Sequence, residues 1–93
     1  MPDMLTERYS TEQEALRRAL RQLRTVKGIT QSALSQALGV PQSFVSKYES
    51  GERTLSYVDV FHICSAIGVS VPLLNERFIQ EINEAESKIP KST

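Results

Sequence analysis

Four side chains within a short stretch, Gln42, Ser43, Ser46 and Lys47, are of the kinds that hydrogen-bond to flat polar edges. A glutamine amide presents a donor and an acceptor side by side and pairs with N6 and N7 of adenine. A lysine donates to O6 and N7 of guanine, and hydroxyls serve in either role. Spacings of three and four residues place these side chains on one face of a helix. The only acid in that stretch is Glu49, at its end. A face rich in amides and hydroxyls and poor in carboxylates is suited to a DNA groove, because a carboxylate repels phosphate.

Other chemistries find little support. His62 is the only histidine, has no Cys/His/Asp cluster near it in the sequence, and is not expected to ligate a metal. Cys64 is the only cysteine, so no internal disulfide is available. It reads as a small core residue in a protein of the reducing cytoplasm. There is no phosphate-cradling glycine loop, no nucleophile–base pattern and no pair of carboxylates placed for acid–base work, so neither enzyme activity nor a cofactor is expected. Apolar runs are a few residues long, too short to cross a membrane. The start, Met1-Pro2-Asp3-Met4, has neither the basic nor the apolar region of a signal peptide.

The 93 residues carry no net charge, but the charge is uneven. Residues 8–53 hold eight basic and four acidic side chains, while residues 54–93 hold three basic and five acidic ones. A basic first half and an acidic remainder point to one face for an anion and another for something else. Arg17, Arg18 and Arg21 are expected on the solvated outer face of the first helix.

Helical periodicity dominates the elements that must hold these groups, and the fold class is all-α. A first helix is predicted from about Thr11 to Lys27, with capping patterns at Thr11/Glu14 or Ser10/Gln13 and an apolar stripe of Leu16, Ala19, Leu20, Leu23 and Val26. A second, about Gln31 to Leu38, is capped by Thr30, has Ala33, Leu34, Ala37 and Leu38 on its apolar face, and stops at Gly39. A third follows from Pro41 or Gln42 to Glu49, with Val45 and Tyr48 inward and Ser50-Gly51 as its stop. A fourth, about Ser56 to Ile67, is expected to bury Tyr57, Val60, Phe61, Cys64 and Ile67. A fifth begins after Ser70 and carries Leu74, Phe78, Ile82 and Ala85 at helical spacing. The domain organisation follows: an N-terminal segment over residues 1–10, one domain over residues 11–86, and a polar tail over residues 87–93.

Two helices of about eight residues joined through Gly39-Val40-Pro41 form a helix-turn-helix. Small Ala33, Ser35 and Ala37 allow the close crossing, and Leu34, Leu38, Val40, Val45 and Tyr48 pin its angle.

The stretch from Gln31 to Gly51, QSALSQALGVPQSFVSKYESG, followed by Glu52-Arg53, resembles the Xre/Cro/phage-repressor type of helix-turn-helix regulator, and the resemblance extends from about Leu16 to Leu74. It implies a five-helix lambda-repressor-like domain that binds double-stranded DNA. It implies base reading by Gln42, Ser43 and Lys47, backbone contacts by Gln31 and Arg53, and a partly buried salt bridge between Arg24 and Glu49. Ser46 faces the same side as the base-reading positions and is assigned to the backbone. Two positions depart from the family pattern: Pro41 lacks the hydroxyl common at the N-cap, and Phe44 stands where tyrosine or a small polar residue is common.

The fifth helix has more apolar residues than one stripe needs. Leu73, Phe78, Ile79 and Ile82 are candidates for a homodimer interface, the alternative being that they cover the N-terminal segment through Met4, Leu5 and Tyr9. The expected function is a small dimeric repressor in the bacterial cytoplasm, reading a near-palindromic operator. The alternatives are an interaction module such as an antitoxin with a toxin as partner, and a restriction–modification controller protein.

Overall fold

Left-handed glycines decide where the helices stop. The computed structural model describes the backbone of residues 3–87 and the side chains of residues 10–85. Five helices follow one another: α1 (Asp3–Val26), α2 (Gln31–Leu38), α3 (Gln42–Ser50), α4 (Tyr57–Ile67) and α5 (Val71–Ser87). The fold is all-α, and no strand occurs among the described residues.

Local chemistry accounts for most boundaries. The Thr30 hydroxyl accepts the Ala33 N–H at 3.0 Å and caps α2. Gly39, at φ +71°, ends α2 with its N–H turned back to the last-turn carbonyls. A residue with a Cβ would be strained in that conformation. Ser56 and Asp59 form a reciprocal capping box at the start of α4. The Ser70 hydroxyl accepts the Leu73 N–H at 3.2 Å at the start of α5. The start of α3 differs: Pro41 is its N-cap and supplies no side-chain hydrogen bond.

α1 begins at Asp3 rather than Thr11, so the expected cap at Thr11 lies inside the helix. Residues 4–10 contain no glycine or proline, and nothing in them stops a helix from extending upstream. Met4, Leu5 and Tyr9, proposed as the cover for α5, have side chains outside the described ones, as does the tail at residues 88–93.

The core is built from Ala19 and Leu20 of α1, Leu34 of α2, Val45 and Tyr48 of α3, Val60, Ile63, Cys64 and Ile67 of α4, and Leu74 of α5. Five residues need reassignment. Val26, expected on the apolar stripe, is 82% exposed, whereas Leu23 and Arg24 of the same turn face the protein. Tyr57 and Phe61, expected on the buried face of α4, are 71% and 52% exposed. The stripe that faces inward is Val60, Ile63, Cys64 and Ile67, turned toward α2 and α5, and Ile63 was missing from the expected set. Ala33 and Ala37 are exposed on α2; the small residue at the close crossing is Ser35, buried with its hydroxyl on the Ser32 carbonyl at 2.7 Å.

α1 makes its most extensive packing along α5. Arg77 of α5 donates to the Gln22 amide oxygen of α1. Beside it, Glu81 is buried with its carboxylate 3.5 Å from Arg77. The helix-turn-helix pair rests on other surfaces, α3 on α1 and α2 on α4.

Cys64 sits inside the core, and burial pushes its thiol pKa up. Since the thiolate is the reactive form, the native thiol is expected to resist a disulfide-exchange reagent at neutral pH and to label quickly once the chain is unfolded by denaturant. Fast labelling of the native protein would contradict the buried placement.

Candidate nucleic-acid interface

The groups that orient α3 are buried. Arg24 reaches from α1 to Glu49 near the end of α3 through two bonds, Nε to Oε2 at 2.7 Å and Nη2 to Oε1 at 3.0 Å. Its third nitrogen, Nη1, donates to the Ile29 carbonyl at 2.7 Å in the loop before α2. The pair is almost closed to solvent, with side-chain exposures of 8% for Arg24 and 4% for Glu49. Gln31, the first residue of α2, adds a third donor, its Nε2 lying 2.9 Å from Glu49 Oε1. One carboxylate thus ties α1, the start of α2 and the end of α3 together. The bond also limits Gln31: one amide hydrogen is committed to Glu49, and its other polar groups remain for an outside partner.

Beside this network, Tyr48 fills the space between the helices and is 1% exposed. Burial, reinforced by the negative charge of Glu49, pushes its phenol pKa well above the usual value. Its hydroxyl has no hydrogen-bond partner among the described residues.

On the opposite side of α3, Gln42, Ser43 and Lys47 are exposed and share one face. Ser46 is half-buried, and its hydroxyl donates to the Ser43 carbonyl at 3.3 Å. Arg53 is exposed just past the helix, with its guanidinium carbon 4.5 Å from the centroid of the Phe44 ring. Gly51, at φ +91°, makes the turn that brings the chain to Arg53.

Two features are invisible in the sequence. Arg17, expected on a solvated outer face, has its guanidinium over Gly51: a Cβ there would lie 3.0 Å from Arg17 Cζ. A cation near the carboxyl end of α3 is favoured by the helix dipole. No periodicity within α1 could reveal this, because it depends on how α1 crosses α3. The second is the exposed apolar set on α4, Tyr57, Val58 and Phe61. Of the four residues expected at a dimer interface, Leu73 and Ile79 are exposed at 45% and 47%, Phe78 packs against the core, and Ile82 is half-buried. No group of His, Cys, Asp and Glu able to hold a metal ion occurs among the described residues. No single described helix is long and apolar enough to cross a membrane.

Two short helices joined at Gly39, with a carboxylate-free polar face on the second, define a helix-turn-helix unit. Comparison with known proteins agrees. The model of a helix-turn-helix domain family matches residues 15–76. An XRE-family-like protein from Pseudomonas syringae pv. tomato is 33% identical, with a TM-score of 0.78 over 85% of this chain and 96% of that one. The clp gene regulator ClgR from Corynebacterium glutamicum is 28% identical, with a TM-score of 0.77 over 83% of this chain and 82% of that one. A point variant of the controller protein C.Esp1396I, bound to its highest affinity operator site, is 25% identical, with a TM-score of 0.73 over 78% of this chain and 96% of that one. No curated protein sequence matches. The chain belongs to the XRE family of helix-turn-helix DNA-binding transcriptional regulators, which are not enzymes.

Removing one partner of a buried ion pair strands the other. Glu49→Ala should therefore lower unfolding free energy by about 3–5 kcal/mol, read from chemical denaturation, a large share of the roughly 5–15 kcal/mol typical of a domain. A loss below about 1 kcal/mol, the range of exposed pairs, would mean that the pair is solvated in solution.

Proposed function

We propose that this protein is a dimeric repressor that reads a near-palindromic operator in double-stranded DNA through α3. The observation that carries this reading is the exposed face of Gln42, Ser43 and Lys47, held on a helix whose other side is fixed by the core and by the Arg24–Glu49 pair. Gln42 pairs with an adenine edge, Lys47 with guanine O6 or N7, and Ser43 with an adjacent base. Gln31, Ser46 and Arg53 contact phosphates around them. Gln31 stands at the start of α2, where the helix dipole favours an anion. The protein acts in the bacterial cytoplasm, at the nucleoid.

Dimerisation is supported by apolar surface left uncovered on α4 and α5. Tyr57 and Phe78 line an apolar groove of about 220 Å³ together with Leu16, Leu55, Val60 and Leu74. Leu73 and Ile79 add exposed apolar surface on α5. A second copy on this surface would set two recognition helices about 34 Å apart, one turn of DNA. The likeness to C.Esp1396I, a restriction–modification controller protein, favours the controller reading as a second possibility within the same class. An antitoxin would use the same apolar surface for a toxin.

Selection of random duplexes by the purified protein at about 150 mM salt, where non-specific binding is weak, tests the reading. The expected result is a near-palindrome with half-sites one turn apart, and no enriched motif would move the reading to a protein-interaction module. On the selected site, Gln42→Ala should relax preference at one base position by about 1–3 kcal/mol. An equal loss on every sequence would remove Gln42 from base reading. The pair Leu73→Glu and Ile79→Glu should convert a dimer to a folded monomer in sedimentation and abolish preference for the paired half-sites. An unchanged sedimentation coefficient would move the interface elsewhere.

A further inference from the structure

Arg53 and Phe44 lie nine positions apart in the sequence, at opposite ends of α3, yet they meet in space. The chain past Gly51 folds back on the helix. The N–H groups of Glu52 and Arg53 both donate to the Lys47 carbonyl, at 2.8 and 3.2 Å. The Arg53 side chain then returns along α3 until its guanidinium stands over the Phe44 ring. The ring is a firm platform. It packs against the core and meets the buried Tyr48 ring edge-on, with centroids 6.0 Å apart and planes at 70°. Phe44 also precedes Lys47 by three residues, so the two are neighbours on the helix surface, and the platform flanks the polar face.

The cation is left available. Among the described residues, Arg53 makes no ion pair and no side-chain hydrogen bond, whereas Arg17, Arg18, Arg24 and Arg77 all have carboxylate partners. Contact with an aromatic face attracts the charge without using the N–H donors. A long flexible side chain is thereby held before any ligand arrives, and the entropy of ordering it is not lost at binding.

We infer that Phe44 is a positioning residue that aims Arg53 at the DNA backbone beside the recognition helix. The inference rests on the DNA-binding reading above and deepens it. Phe44 need not touch DNA itself. It lowers the freedom of the group that does, so its contribution is independent of base sequence.

A double-mutant cycle tests this. Phe44→Leu should weaken binding to the selected operator and to an unrelated duplex by the same factor, about two- to five-fold. In an Arg53→Ala background the same change should cost nothing further, and Phe44→Tyr, which keeps the ring face, should bind as the parent does. Phe44→Met, whose unbranched side chain adapts to the space the ring leaves, replaces the leucine variant if that variant is unfolded by circular dichroism. In the free protein, the Arg53 side-chain protons should lose an upfield ring-current shift in Phe44→Leu or Phe44→Met, a readout that needs no DNA.

Equal weakening with and without Arg53 would make Phe44 a core residue only and overturn the inference. A changed base preference would make it a reader of bases and overturn the inference as well. An unshifted Arg53 resonance would show that the stack does not form. A parent protein that binds no duplex would instead defeat the DNA-binding reading itself and the inference with it. A parent that binds, with Arg53→Ala weaker but no coupling to Phe44, would defeat the inference alone.

Discussion

Glu49 sits at the carboxyl end of a helix, where the dipole is negative and an isolated acid is unfavourable. It is also closed off from water. Both costs are offset by Arg24, which meets the carboxylate with two bonds and uses its remaining nitrogen on the loop carbonyl of Ile29. The fixed fork of a guanidinium suits this task, and a lysine in its place would leave acceptors unmet. Because the pair joins residues from α1 and α3, and Gln31 joins α2 to the same carboxylate, the relative placement of three helices follows from one group. The face proposed to read DNA is the far side of the helix this group anchors.

Charge counting gives a coarser picture than the structure does. The basic excess over residues 8–53 includes Arg24, whose charge is consumed inside the protein, and Arg17 and Arg18, which share Glu14. Among the described basic residues near α3, Lys47 on the polar face and Arg53 beside it are exposed. A neutral chain can therefore still present a local positive surface, since what phosphate meets is the arrangement of unpaired cations near the groove.

Where a signal is local, it is legible. The caps at Thr30, Ser56 and Ser70, the stops at Gly39 and Gly51, and the inward Val45 and Tyr48 of α3 depend on neighbours within a few residues, and the sequence displays them directly. The position of Arg24 against Glu49 comes from family resemblance, since the residues stand 25 apart. Signals that depend on how helices cross are hidden. Tyr57 and Phe61 have the spacing of a buried stripe on α4, but the rotation of that helix turns them outward and brings Ile63 inward beside Val60. The length of α1 is hidden because a capping pattern at Thr11 looks the same inside a helix as at its start. The contact of Arg53 with Phe44 needs the chain reversal after Gly51, which the residue types do not reveal.

Gly51 is constrained by its left-handed backbone, at φ +91°, with the Arg17 guanidinium close beside it. Gln42, Ser43 and Lys47 face solvent a short distance away and support none of the core. Mutational tolerance is therefore divided sharply within one short segment. Almost any replacement at the outward positions leaves the scaffold standing, while the turn that ends the helix admits little variation. A lineage carrying this domain can drift to new operators through a few outward substitutions, and its ancestry stays readable in the residues that never meet DNA.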